Sequence, residues 1–125
     1  LASFEQNGFG TVDMALNEPN LFRFMYLSDK IEGVWDGIFD VPGGAYGQQA
    51  CRALAASLGL TERQAADFMV SMMLYAQGIA VTLVCGKMKV DKDRVYAMIH
   101  KTGMTYLMGL GLTEERLAAV FGNRN

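Results

Sequence analysis

The sequence has few of the residues that small enzymes and metal proteins use for chemistry. Its 125 residues include one histidine, two cysteines and two prolines. A metal site needs several ligands at suitable spacing, and no HxxxH, ExxH or CxxC pattern occurs. The phosphate-binding and nucleophile motifs GxGxxG, GxxxxGK(S/T) and GxSxG are absent as well. We therefore predict no catalytic set, no metal and no cofactor, and we expect that the chain is not an enzyme.

The chain also lacks a marked excess of charge of either sign. Eleven basic and thirteen acidic residues give a net charge of −2, whereas dedicated nucleic-acid-binding domains usually carry a clear positive excess. Seven acidic and two basic residues fall within residues 1–50, and six acidic and nine basic within 51–125. The basic residues of the stretch 87–101 are not accompanied by an interleaved platform of aromatic residues, so we interpret the stretch as a solvated helix flank. A hydrophobic fraction of 51% excludes a disordered chain.

Two cysteines are too few for a disulfide framework. Cys51 and Cys85 both lie in apolar, helix-like stretches, which is typical of buried free thiols in a reducing compartment. The first residues show neither a basic region nor an apolar run, so no signal peptide is predicted. We expect a cytoplasmic protein.

Hydrophobic periodicity predicts one all-α domain spanning residues 1–125. No stretch alternates polar and apolar residues over the length of a strand. Residues 29–45 read as irregular and rich in glycine. On the first helix, the residues expected to face inward are Phe9, Val12 and Leu16. The second helix is expected to be buried on most sides. On the third helix, the expected inward face consists of Ala50, Ala53, Leu54 and Leu58. The predicted helices run from the Ser3 cap to Asn17, over 19–27 and 46–58, from the Thr61 cap to about Cys85, from Lys92 to about Leu110, and from Glu114 to Phe121.

Several predicted helices begin at residues whose side chains commonly cap a helix. Thr61 to Gln64 has the spacing of a capping box, and Asp91 and Thr113 are placed to cap the two helices that follow. The pentapeptides 58–62 and 110–114 have the same sequence, LGLTE, each with a glycine exit followed by a threonine cap. We do not interpret the two pentapeptides as an internal repeat. At each of them one helix ends at the glycine and the next begins at the threonine, and this shared cap chemistry explains the likeness.

Residues 68–86 contain no charge over nineteen positions. That length approaches a membrane span of about 20 residues, so a membrane helix is one interpretation. Ser71, Gln77 and Thr82 interrupt the run and no second span exists, which favours a helix buried in a soluble protein. With so few other helices to cover it, we expect its far side and the next long helix to pack on a second copy as a four-helix bundle.

The aromatic and methionine residues suggest a small-molecule pocket. An apolar lining with a few phenol and imidazole groups is typical of such pockets, although a plain packed core has the same composition. His100 fits either a packed histidine or a polar group of the pocket. The expected ligand-binding residues are Phe22, Met25, Trp35, Phe39, Tyr46, Phe68, Met72, Tyr75, Tyr96 and His100.

The run NEPNLFRFMY at residues 17–26 resembles the helix-to-helix junction of TetR-family transcriptional regulators, where an Asn/Glu-Pro turn precedes an LFRLMF-like helix. The stretch YAQGIA at 75–80 resembles the aromatic-x-x-Gly-small segment of that family's eighth helix, with Gln77 where a histidine is common. A long helix, an acidic cap and another long helix follow in the same order. The resemblance extends from the first helix to about Leu112.

The resemblance implies an antiparallel helical bundle that binds an effector and forms a homodimer through its last two long helices. The helix-turn-helix that binds DNA would lie before Leu1, and the domain would act in a repressor that senses a small lipophilic or aromatic ligand. The expected dimer residues are Val70, Gln77, Val81, Val84, Met98, Thr102, Thr105 and Gly109. Two other hypotheses remain, a ligand-free helical scaffold or adaptor and a helical enzyme.

Overall fold

The structure is a computed structural model that describes residues 2–28, 33, 35–39, 44–86, 89 and 91–121, with side chains from residue 8 in the first helix and from residue 47 in the third. It contains the helices α1 (Ala2–Asn17), α2 (Pro19–Phe22), α3 (Gly44–Leu58), α4 (Glu62–Val84), α5 (Lys92–Gly109) and α6 (Glu114–Phe121), and a π-helix over Arg23–Leu27. The described residues include no strand, so the all-α prediction is confirmed for them.

Three of the predicted caps form as hydrogen bonds, whereas Ser3 lies inside α1, which begins at Ala2, and is therefore not its N-cap. The Thr61 hydroxyl accepts from the Gln64 amide at 3.0 Å, and the Gln64 side chain accepts from the Thr61 amide at 3.0 Å. Asp91 accepts from the Asp93 amide at the start of α5, and Thr113 accepts from the Arg116 amide at the start of α6. These local bonds occupy backbone donors that a helix start leaves unsatisfied.

Two helices end in the same way. Gly59 and Gly111 have φ values of +68° and +99°, a region that favours glycine because it has no Cβ. The following amides, of Leu60 and Leu112, donate to carbonyls five residues back in α3 and α5. This pattern is a Schellman motif, so shared cap chemistry explains why the two pentapeptides are the same.

The central element is α4, against which α1, α3 and α5 pack. Gly8 lies beside Ala76, and Ala15 shares a cluster with Ala80 and Val84, so α1 runs in the same direction as α4. Phe9 meets Tyr96, and Asp13 meets Lys92, so α1 and α5 run in opposite directions. The described bundle is therefore not antiparallel throughout.

Two predictions about the first helices are wrong. The inward face of α1 is Phe9, Val12 and Ala15, whereas Leu16 is exposed because the short Ala15 side chain allows close approach to α4. The second predicted helix is four α-helical residues continued by the π-helix, and it is not buried on most sides. Only Phe22 is buried there, and the exposed fractions of Leu21, Phe24 and Leu27 are 43%, 49% and 44%.

The inward face of α3 was predicted in part. Leu54 and Leu58 are buried as expected, and Cys51 and Ala55 are buried beside them. Ala53, which was expected on the same face, is exposed. The difference places the core stripe of α3 on the Cys51 side of the helix.

Candidate functional site

The described members of the ten expected ligand-binding residues lie in different parts of the fold. Phe68 and Met72 are buried in a large core cluster, and Tyr75 and Tyr96 pack against it. Phe22 belongs to a second cluster with Ala15, Ala80 and Val84. The sequence therefore placed residues from two separate clusters in one predicted pocket.

Three aromatic rings form a row beside the second cluster. The ring centroids of Phe22 and Tyr26 lie 5.0 Å apart, and those of Tyr26 and Trp35 lie 5.9 Å apart. Phe22 is buried, whereas Tyr26 and Trp35 are half-buried. Tyr26 was not among the expected residues, although its spacing of four from Phe22 places both on one side of the helix.

The remaining expected residues take different positions. Met25 and His100 are half-buried. Phe39 has an exposed fraction of 64%, and its backbone carbonyl accepts a hydrogen bond of 3.4 Å from Arg63. Tyr46 falls outside the described side chains. A pocket shared by these residues stays a prediction.

A polar cluster joins α1 to α5, and we call it the Asp13 cluster, consisting of Asp13, Lys92 and Tyr96. The Tyr96 hydroxyl donates a short hydrogen bond to Asp13 Oδ1, and Lys92 Nζ lies 3.0 Å from the same oxygen. Lys92 Nζ also lies 5.3 Å from the centroid of the Tyr96 ring. The Tyr96 ring also stacks on the Phe9 ring with a centroid distance of 4.3 Å. The arrangement joins a carboxylate, an ammonium and a phenol at the edge of the apolar core.

The electrostatics of the Asp13 cluster stabilise its charged form. The hydrogen bond from Tyr96 lowers the pKa of Asp13, and Lys92 lowers it further. The hydrogen bond to Asp13 raises the pKa of Lys92. Desolvation raises the pKa of Tyr96, and the negative charge of Asp13 adds to this. At neutral pH the cluster therefore contains an ionised carboxylate, an ammonium and a neutral phenol, none of them poised as an acid or base near pH 7.

Of the three residues in the Asp13 cluster, only Tyr96 was predicted from the sequence as a site residue. The spacing of four between Lys92 and Tyr96 places them on one side of α5, and this signal was available. Asp13 lies 83 residues from Tyr96, and no local pattern indicates a contact over that distance.

Most of the α4 residues that are exposed in the single chain directly follow, by one position, a residue that was expected at the dimer contact. Val70 and Val84 are buried within the single chain, and Gln77 and Val81 are half-buried. The next residues, Ser71, Gly78 and Cys85, are exposed instead, together with Leu74. We call these four residues the α4 stripe. A rotation of one residue, about 100° around a helix, accounts for the difference.

The expected dimer face of α5 is open in the single chain. Met98, Thr105 and Gly109 are exposed, and Thr102 is half-buried. Met108 is exposed as well. The surface of α5 thus combines apolar and small residues, with Arg94 and Lys101 also exposed along the helix.

The two cysteines differ in their surroundings. Cys51 is buried and donates a hydrogen bond of 3.2 Å to the Glu62 carbonyl, and burial raises the pKa of its thiol. Cys85 is exposed at the end of α4, contrary to the expectation that both thiols are buried. Within the described ranges, no group of three His, Cys, Asp or Glu side chains could hold a metal ion.

One described helix, α4, is long and apolar enough to cross a membrane by length and composition. Within the most apolar 18-residue stretch of α4, 44% of the residues are buried inside the chain. A core helix of a soluble protein has the same properties, so this feature alone does not distinguish the two interpretations.

Comparisons of the chain with protein-family models, curated proteins and solved structures gave no match.

Proposed function

We propose that the chain is the effector-binding and dimerisation domain of a TetR-like transcriptional repressor. The observation that carries the proposal is the α4 stripe, an uncharged line of residues along the exposed side of the central helix. The stripe lies within the nineteen uncharged positions that led us to expect a second copy. Leu74 is the exposed large apolar side chain of this stripe, and contiguous apolar surface on a soluble protein often marks an interface.

The chemistry of the stripe favours a second helix at close range. Leu74 has an exposed fraction of 45%, and its apolar surface gains free energy when it leaves water. Gly78 lies inside α4, where glycine destabilises a helix by about 1 kcal/mol relative to alanine. A Cβ at Gly78 would meet no atom of the described residues within 4 Å, so no contact with that part of the chain requires glycine there. Close approach of another backbone supplies a reason for it.

The open face of α5 extends this surface. Met98 and Met108 are exposed, and Thr105 and Gly109 lie between or beside them. In a twofold dimer each copy presents the same patch, so α4 and α5 of both copies would form a four-helix contact. Methionine side chains adapt well to such contacts.

The ligand site is proposed at the aromatic row of Phe22, Tyr26 and Trp35. Its two half-buried rings offer apolar surface with a phenol and an indole, which suits a neutral aromatic or lipophilic effector. DNA contact would come from a helix-turn-helix outside this chain. The effector would act through differential affinity for two arrangements of the domain. The proposal includes a cytoplasmic location and no enzymatic activity.

A second candidate function is a helical scaffold or adaptor without a ligand. The observation that favours it is the burial of Phe22, Phe68 and Met72, three of the expected ligand residues, in packed clusters. A scaffold would keep a dry core and would bind no small molecule.

Native mass spectrometry of the 125-residue chain from a gentle buffer tests the proposal. We expect a dimer, and addition of a mixture of small aromatic compounds should give adducts that the Trp35→Ala variant loses. A dimer that binds none of the compounds would favour the scaffold. A monomer at all concentrations would contradict the proposed dimerisation.

A further inference from the structure

The described methionines differ widely in their exposure. Met69 and Met72 are buried in the large core cluster, with exposed fractions of 5% and 8%. Met98 and Met108 on α5 have exposed fractions of 39% and 42%. The remaining described methionines are half-buried, namely Met14, Met25, Met73 and Met104. A water-soluble oxidant therefore meets the sulfur atoms of Met98 and Met108 before any other described thioether.

The exposed surface of α5 takes its large apolar side chains from these two methionines alone. The other exposed residues of the helix are charged or small, namely Lys92, Asp93, Arg94, Ala97, Lys101, Thr105 and Gly109. On the α4 stripe, by contrast, the large apolar side chain is that of Leu74, which has no sulfur. The apolar attraction of the open face of α5 thus depends on two side chains that can be oxidised.

We propose that Met98 and Met108 are modification sites, and that their oxidation to methionine sulfoxide by a hydroperoxide prevents two copies from associating through α5. In each reaction the thioether sulfur attacks one peroxide oxygen, the O–O bond breaks and a sulfur–oxygen bond forms. The sulfur gives up two electrons, and the proton of the attacked oxygen passes to the departing oxygen, which leaves as water or an alcohol. The effect on association rests on the proposed dimer, whereas the selectivity of the oxidation does not.

A sulfoxide changes the character of the α5 face. Methionine is a flexible apolar side chain, and its sulfoxide is polar. The Thr105 hydroxyl, which lies between the two methionines in the sequence, already donates to the Lys101 carbonyl at 2.8 Å. A polar group that enters a contact without a hydrogen-bond partner opposes association, and twofold symmetry introduces each sulfoxide twice.

The response would be confined to the contact between copies. Met98 and Met108 are accessible in the separated chain and covered in the proposed dimer, so an oxidant acts on separated chains and keeps them apart. Met69 and Met72 are shielded by the core, so the fold of each chain is retained. The open face of α5 therefore becomes sensitive to oxidants while the bundle stays intact.

Peroxide treatment followed by peptide mass spectrometry tests the selectivity. The chain is treated with hydrogen peroxide below the dissociation constant of the dimer and is then reduced with dithiothreitol, which restores thiols and leaves sulfoxides. Met98 and Met108 should gain oxygen at least about fivefold faster than Met69 and Met72, in line with exposed fractions of 39% against 8%. Equal rates at these four methionines in the folded chain would overturn the proposal.

Sedimentation equilibrium of the treated chain tests the consequence for association. Circular dichroism should first show an unchanged helical signal, and its loss would overturn the proposal. The dissociation constant should rise by at least about 10-fold, because each copy brings two sulfoxide groups to the contact. Methionine sulfoxide reductases for both epimers should restore the original value.

The double variant Met98→Leu/Met108→Leu is the matched control, since leucine is close to methionine in volume and has no sulfur. The dissociation constant of this variant is compared before and after treatment, and it should not change. A parent that stays equally dimeric with both sulfoxides in place, or a double variant that responds as the parent does, would overturn the proposal. A parent that is monomeric before any treatment would contradict the proposed dimerisation and, through it, this inference.

Discussion

A bulky side chain at Gly78 should have opposite effects on the single chain and on the dimer. In the single chain the site is open, since a Cβ there meets nothing within 4 Å. Leucine is a better helix former than glycine by roughly 0.8 kcal/mol, so Gly78→Leu should raise the unfolding free energy by about that amount. Urea denaturation below the dissociation constant of the dimer measures this effect without contributions from association.

In the dimer the same leucine would occupy the place where two backbones approach. Overpacking of a contact destabilises it by about 1–3 kcal/mol for each site, and twofold symmetry introduces the leucine twice. The loss of at least about 2 kcal/mol corresponds to a dissociation constant about 30-fold higher. Sedimentation equilibrium measures that constant.

Gly10 provides the matched control. It lies inside α1, is exposed, and also has nothing within 4 Å of a Cβ. Gly10→Leu should raise the unfolding free energy by a similar amount and leave the dissociation constant unchanged. If Gly78→Leu stabilises the chain and dimerisation stays as strong as in the parent, the α4 stripe is not the contact between copies.

Three further predictions concern stability. Asp13→Asn should lower the unfolding free energy by about 0.5–1 kcal/mol at pH 7, since Asp13 is partly exposed. Because the folded-state pKa of Asp13 is lowered, its contribution is present above the ordinary value of 3.8 and is lost as pH falls through the folded pKa. Urea titrations of parent and variant should thus converge in acid, and a constant difference would refute the linkage. Thr61→Ala should lower thermal stability by about 1 kcal/mol through loss of the capping box, whereas no change would show that the cap is redundant. Phe22→Ala should cost about 3–5 kcal/mol in denaturant unfolding, because Phe22 is fully buried in the second cluster, and a cost below about 1 kcal/mol would contradict that packing.

Local signals in the sequence predicted local structure well. The Thr61 capping box and the glycine exits at Gly59 and Gly111 all formed, because each depends on residues within one helical turn. The end of α1 before Pro19 also agreed, since the residue before a proline avoids the helical region.

Features that depend on distant contacts were predicted poorly. Leu16 and Ala15 are adjacent, and only the partner helix decides which of them is buried. On α4, the residues that are exposed in the single chain lie one position after those expected at the dimer contact, and that contact stays a prediction. The π-helix over Arg23–Leu27 has no local signature, and Arg23 donates a hydrogen bond of 2.8 Å to the Val84 carbonyl, 61 residues away. Such contacts are set by the whole bundle.

The central claim is that two copies of this chain meet along α4. Cys85 offers a direct measurement, because it is the exposed one of the two described cysteines and lies at the end of the α4 stripe. A spin label on Cys85 of an otherwise unchanged chain reports only distances between copies. One defined distance between the labels on the two copies is expected, and Gly78→Leu should abolish it. A signal without any defined distance, at concentrations well above those of ordinary dimers, would contradict the account.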